Sequence, residues 1–280
     1  MVSVIIPTYN RRAFLTEAVA SVRRQTYQDW ELLVVDDGSE DGSADWADSL
    51  KDARIRCLRQ ANHGVSAARN AGLKQASRPW IAFLDSDDRW HPEKLRQQLD
   101  FLHRFPETRV LQSEEIWYRK GRRVNPRKIH RKYDGWIYQR CLPLCVISPS
   151  AVILHRQVLE KVGEFRQDFP VCEDYELWLR IACRYPVRLL EEPLTVKYGG
   201  HDDQLSRSMW GMDRFRLQAM RERLQSGQLT PQLERWTARE AARKADILAQ
   251  GYDNNRKPGE AARYRRIAEQ MEERLEATTR

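Results

Sequence analysis

The chain contains no hydrophobic run approaching the roughly 18 consecutive apolar residues of a membrane-spanning helix. Its start, Met1-Val2-Ser3-Val4-Ile5-Ile6-Pro7, lacks the basic flank and the length of a signal peptide. A cytoplasmic protein is expected, with peripheral contact at the inner face of the membrane left open. Cysteine is scarce. Cys57, Cys141, Cys145, Cys172 and Cys183 are odd in number and scattered, which points to reduced core thiols rather than a disulfide framework or a zinc site. Acidic residues are missing altogether from Arg119 to Lys132, a stretch with eight Lys and Arg. The net charge of +8 (48 basic against 40 acidic residues) is therefore local, the remainder summing to zero, and no nucleic-acid partner is expected.

What is present is ample for a packed core: 280 residues, 41% hydrophobic and 31% charged, enough for one α/β domain plus an extension. Val2 to Pro7 reads as a buried strand ending in Thr8-Tyr9-Asn10. Phe14 to Thr26 has helical apolar spacing, with Thr16 or Asn10 as candidate cap. Trp30 to Val35 is a second strand ending in Asp36-Asp37-Gly38-Ser39, followed by a short helix (Ser43 to Leu50), a strand (Ile55 to Leu58) and a helix (Val65 to Gln75). The apolar run Ile81-Ala82-Phe83-Leu84 then stops abruptly in Asp85-Ser86-Asp87-Asp88. Strand alternating with helix predicts a mostly parallel sheet flanked by helices, whose ligand site lies beyond the carboxyl ends of the strands. Three polar segments distant in sequence follow strands directly and would face one crevice there. Oxygen ligands at such a point suit a hard divalent cation held against a phosphate.

Further on, Glu93 to Phe105 is an amphipathic helix, Val110 to Tyr118 suggests strand, and the basic stretch from Arg119 reads as a mobile loop flanked by aromatics. Strands are expected at Ala151 to Leu154 and Val187 to Leu190, with helices at Gln157 to Val162 and Asp174 to Arg184. After Met209 no strand remains, and three charged helices are expected: Met209 to Leu224, Pro231 to Tyr252 and Pro258 to Ala277. They read as a helical appendage that packs on the rest, recruits a partner or forms a homo-oligomer.

Five segments in order carry a family resemblance: Val4-Ile5-Ile6-Pro7-Thr8-Tyr9-Asn10, Val34-Val35-Asp36-Asp37-Gly38-Ser39, Gly64 through Gly72, Phe83-Leu84-Asp85-Ser86-Asp87-Asp88 and Glu173-Asp174-Tyr175-Glu176-Leu177-Trp178-Leu179. Together they resemble the inverting glycosyltransferases of family 2, over about residues 1 to 208. The resemblance implies a GT-A (Rossmann-like) α/β domain over 1–208 and a helical extension over 209–280. Residues 1–105 would be the nucleotide-sugar-binding half and 106–208 the acceptor half, carrying the basic loop 119–132. It further implies a nucleoside diphosphate sugar donor, a UDP sugar in kind, with Mn2+ or Mg2+, and a glycan or lipid-linked acceptor in cell-envelope polysaccharide synthesis.

By the same resemblance, Pro7, Thr8 and Tyr9 line the base pocket, with Tyr9 stacking. Asp37, ahead of Asp36, accepts from the base imide, and Arg69 reaches the base or the phosphates. Asp87 ligates the metal, Asp85 serves the ribose or the metal, Ser86 belongs to the nucleotide site, and His201 approaches the metal or diphosphate. Asp88 is read as a helix cap before Pro92. Inversion needs a base to take the acceptor's proton. Asp174, at a helix start whose amide dipoles favour negative charge, is chosen over Glu173. Trp178 is assigned to the core. The basic loop is a solvated surface on the acceptor side, or a contact for an anionic membrane or a phosphorylated acceptor. Two other readings are weighed. A phosphotransferase with Asp85 as nucleophile needs a following hydroxyl residue and later Lys and acidic motifs, which Asp87-Asp88-Arg89 does not supply, and a non-catalytic nucleotide-binding scaffold remains the alternative.

Overall fold

A computed structural model describes residues 1–125, 127–200 and 211–277. The first half is strand and helix in alternation: β1 (Val2–Thr8), α1 (Arg12–Arg23), β2 (Trp30–Asp36), α2 (Ser43–Asp48), β3 (Ile55–Arg59), α3 (Val65–Gln75) and β4 (Trp80–Phe83). A two-residue strand β5 (Arg89–Trp90), helix α4 (Lys94–Arg104), and the hairpin of β6 (Val110–Arg119) and β7 (Arg122–Val124) follow. Then come α5 (Tyr138–Cys141), β8 (Val152–His155), α6 (Arg156–Val162), α7 (Glu173–Ala182) and β9 (Arg188–Gly199). Three helices end the chain: α8 (Asp213–Gln225), α9 (Pro231–Asn254) and α10 (Pro258–Ala277).

Among the described residues the strands form one sheet in the order β3-β2-β1-β4-β8-β6-β9-β5, with β7 on β6. The parallel arrangement expected from the alternation holds for β1 to β4, where β1 pairs in parallel with both β2 and β4. The second half is mixed. β8 runs antiparallel to β4 and β6, and β5 runs antiparallel to β9. All seven residues of β1 are buried, as a central strand covered on both faces requires. Val2, Val4 and Ile6 enter one apolar cluster with Leu15, Val19 and Leu95, while Ile5 enters the other with Ala68 and Phe83, following the two-residue period of a strand.

The cluster beneath α3 runs without a break through Trp178, Leu217, Met220, Ala241, Leu248 and Ile267 to Met271. The C-terminal helices therefore pack on the sheet domain and share its core. A buried tie reinforces this, Tyr138 Oη lying 2.8 Å from Thr237 Oγ1, while within the extension Lys244 Nζ donates to Asp213 at 2.8 Å.

Several local expectations change. Neither Thr16 nor Asn10 caps α1. Thr16 Oγ1 donates to Arg12 O within the helix, and Asn10 Oδ1 accepts from Glu40 N. The stretch read as a mobile basic loop is a β-hairpin followed by a 3-10 turn, Lys128–His130. Its last residue, Lys132, is buried 3.4 Å from Glu115. An apolar-pattern reading sees only charge there and misses the hairpin that Gly121, at φ 75°, allows. No described helix is long and apolar enough to cross a membrane.

Gly72 shows what sets the distance between α3 and the sheet. A Cβ built there would lie 2.6 Å from Ile5 Cγ2 and 3.2 Å from Val35 Cγ2, inside a close-packed core. Helix propensity favours Ala over Gly by about 1 kcal/mol, so the two effects oppose each other. Overpacking wins in this geometry: Gly72→Ala is expected to lower stability by about 1–3 kcal/mol in urea denaturation, and an unchanged or raised midpoint would show that α3 can retreat.

Candidate active site

Parallel pairing brings the polar strand ends to one edge. Thr8 is in register with Asp36, Asp37 N donates to Thr8 O at 2.9 Å, and Leu84 N donates to Ile5 O at 3.0 Å. Tyr9 stands just past the strand with 48% of its surface exposed, an open ring suited to stacking. Pro7 is buried in β1. Thr8 Oγ1 and Asp36 Oδ1 are buried without a hydrogen-bond partner. Orphaned polar atoms of that kind at a strand end are what a ligand contact would satisfy. Asp37 is already engaged, accepting from Gln60 Nε2 (2.7 Å), His63 N (3.0 Å) and Gly64 N (2.8 Å). It thereby holds the loop that starts α3, and a carboxylate with three donors has room for about one more.

The turn after β4 distributes its carboxylates unequally. Asp85 accepts from Arg69 Nη2 at 2.8 Å, and Asp87 accepts from Arg11 Nη1 at 3.1 Å. Burial drives Asp85 upward, but Arg69, Lys197 and Arg11 together hold it below the usual carboxylate range. Burial and the neighbouring Asp85 push Asp87 above that range. Ser86 is buried between them. Asp88 is no helix cap. It lies fully buried, accepting from Ser150 Oγ (2.6 Å) and Tyr198 N (3.2 Å), with Lys197 Nζ at 3.6 Å. Burial lifts it to about 8 against the pull of Lys197. The cap reading fails because β9 passes beside Asp88 and supplies donors that no local pattern reveals.

Arg69 links the two halves of the site. With 4% of its side chain exposed, it donates to Asp85 on one side and to Glu173 Oε1 (2.7 Å) on the other, over the ring of Phe165. It forms a buried brace between two protein carboxylates. Glu173 is buried, and burial with the adjacent Asp174 raises it to about 7 despite Arg69. Asp174 is only partly buried. Its Oδ1 accepts from Tyr175 N at 2.7 Å, and the Cys145 thiol donates to Oδ2 at 3.4 Å. Burial and Asp174 raise that thiol well above its ordinary value, so it stays a donor. Trp178 is buried in the core as expected.

Three contributors escaped the sequence reading: Arg11, Ser150 and Cys145. Lys197 is part-buried, its Nζ 3.0 Å from Ser148 Oγ. Burial works against its charge, but Asp88, Glu115, Asp85 and Asp87 hold it protonated. The signal that was available is a lysine a few residues past the predicted strand Val187 to Leu190 and an arginine two residues beyond Tyr9. His201 lies outside the described residues. Among the described ones, no group of three or more His, Cys, Asp or Glu is gathered that could hold a metal, so Asp85 and Asp87 stand as the candidate pair.

Residues 3–163 match the family model described as glycosyl transferase family 2. The chain belongs to this family. It is accordingly a glycosyltransferase. The chain is 37% identical over 185 residues to UDP-Glc:alpha-D-GlcNAc-diphosphoundecaprenol beta-1,3-glucosyltransferase WfgD of Escherichia coli, a match covering 65% of this chain and 69% of that protein. It is 35% identical over 194 residues to the like-named WfaP of Escherichia coli, covering 66% and 71%. An uncharacterized glycosyltransferase of Rickettsia felis is 34% identical over 200 residues, which is 69% of this chain but 32% of that protein. The fold is similar to that of S. aureus TarS in complex with UDP-GlcNAc, with a TM-score of 0.65 at 22% identity over 89% of this chain and 70% of that one. The mannosyltransferase PcManGT of Pyrobaculum calidifontis, in complex with GDP-Man and Mn2+, gives 0.60 at 20% identity over 99% and 85%.

Breaking a buried ion pair on one side strands a charge, at a cost of about 3–5 kcal/mol. Arg69→Met removes the brace from two carboxylates at once. It is expected to reduce stability by at least that amount in urea denaturation, whereas Arg69→Lys should fall between, keeping the charge but not the two-sided reach. Equal stability of all three proteins would show that the bridge contributes nothing.

Proposed function

We propose that this glycosyltransferase moves a sugar, with inversion and with a divalent metal, from a UDP sugar to a hydroxyl of a lipid-linked glycan acceptor in cell-envelope polysaccharide synthesis. The observation that carries the proposal is the Arg69 bridge. It holds Asp85, in the turn of the donor half, to Glu173, the residue beside Asp174. The UDP-Glc donor and diphosphoundecaprenol-linked acceptor in the names of two relatives support the substrate class.

In this reading Tyr9 stacks on the base, and Thr8, Asp36 and Asp37 meet the nucleoside with the orphaned oxygens and the one remaining acceptor position. Asp85 and Asp87 fit a divalent cation. They offer hard oxygen donors, and Asp87 is pushed upward by burial first and by the neighbouring Asp85 second, the second of which a cation would relieve. Bound there with the substrate's phosphates, Mn2+ or Mg2+ would supply neutralisation of the leaving diphosphate. Arg11 and Lys197 add positive charge on the same side. Asp174 accepts the proton of the acceptor hydroxyl. Its two oxygens are oriented by Tyr175 N and by the Cys145 thiol, and Glu173 is occupied by Arg69.

Asp174→Asn should lower kcat by about 10²–10⁴-fold while binding UDP as the parent does. A scaffold that merely binds nucleotide would be indifferent in every assay. UDP and Mn2+ together should raise the melting temperature, since a ligand at 100 times its Kd stabilises by about 2.7 kcal/mol. Asp87→Asn should abolish the metal-dependent part of that rise. Failure of UDP, GDP and dTDP alike to shift melting with metal present would sink the proposal.

A further inference from the structure

The basic hairpin has no task in the chemistry above, yet it rises from the rim of the site. Arg89, which follows Asp88, pairs with Val196 of β9, and Val196 pairs with Ile116 of β6. At the ordinary strand spacing the hairpin therefore starts about 10 Å from the carboxylate turn. From Trp117 onward β6 and β7 carry exposed Arg119, Lys120, Arg122 and Arg123. The 3-10 turn that follows folds back onto them, His130 packing on the Trp117 ring at 5.2 Å between centroids. That turn adds exposed Lys128 and Arg131, and between them Ile129 turns 60% of its surface to solvent. No acid occurs anywhere from 119 to 132.

We propose that this hairpin and turn dock the enzyme on an anionic membrane surface, the cations facing the lipid headgroups and Ile129 entering the interface. The charges are spread over exposed side chains rather than gathered around a buried polar group. Such a surface matches the diffuse negative potential of a bilayer and lacks the enclosure of a discrete phosphate pocket. An exposed aliphatic side chain amid cations is the further mark of an interfacial segment. Lys132, by contrast, is withdrawn into the fold against Glu115 and anchors the base of the hairpin. The inference does not rest on the proposed reaction. Its consequence for that reaction is that the carboxylate turn would sit close to the bilayer, at the level where the head of a lipid-linked acceptor emerges.

The test is sedimentation of the full chain with vesicles of phosphatidylcholine alone and of phosphatidylcholine with about 30% phosphatidylglycerol. Binding is expected to the anionic vesicles only, weakening as salt is raised. Each basic residue near such a surface contributes about fivefold in partitioning. Arg122→Gln with Arg123→Gln should therefore lower binding about 25-fold, while UDP binding and melting temperature stay at the parent values. Equal binding to neutral and anionic vesicles would overturn the proposal, as would an unchanged partition of the double variant. Release from the vesicles by inorganic diphosphate, beyond that given by chloride at matched ionic strength, would assign the patch to a soluble phosphate group and overturn it too. Loss of transferase activity on a soluble acceptor would bear on the reaction alone.

Discussion

One guanidinium holds the site together. Arg69 sits on α3, in the half of the molecule that ends its strands in acids, and reaches across to the first residue of α7 in the other half. Buried charges are tolerated only when paired and hydrogen-bonded, so the three groups constrain one another. Asp85 and Glu173 cannot drift apart without exposing a costly charge. The consequence is geometric. Asp87, two residues from the braced Asp85, and Asp174, adjacent to the braced Glu173, are held relative to one another. The loop that positions α3 is itself fixed by Asp37, which takes two backbone amides and the Gln60 side chain.

A second polar cluster supports the carboxylate turn from below. Ser150 Oγ accepts from Asp85 N and donates to Asp88, while Asp88 also receives Tyr198 N and faces Lys197. Lys197 in turn bonds to Ser148. Three stretches more than forty residues apart thus meet under one turn. Because this network is buried, each member keeps its partners at short range, and the turn is defined by β9 and the segment before β8 as much as by its own residues. Of the three aspartates in the turn, Asp88 is the one that these later elements bury.

Much of this was legible beforehand, for physical reasons. Strands buried on both faces must be continuous apolar runs, and β1, β2 and β4 are such runs, so their ends, and the acids placed there, can be read directly. The helix over Val65 to Gln75 and the last helix from Pro258 to Ala277 agree with the apolar spacing and proline positions that predicted them. The short pieces were not legible. β5 has two residues and β7 three, too few to show a period, and they exist because β9 and β6 offer them a ladder. The carboxylate partners of Arg69 were not legible either. Its burial depends on Phe165 and Glu173, about a hundred residues away. Asp88 read as a cap because local bonding is all that a sequence neighbourhood displays.

The sequence by itself determined the fold class, the family and the list of acids from which the chemistry is drawn, because these depend on periodicity and on local motifs. The tertiary structure decided which partners each acid has. Asp87 keeps company with Arg11, Asp88 is taken into the core by Lys197 and Ser150, and Glu173 is engaged by Arg69 while Asp174 stays partly exposed. It also decided that the C-terminal helices share the catalytic core. Side chains acquire roles from partners distant in sequence, and those partners are chosen by packing that no local pattern encodes.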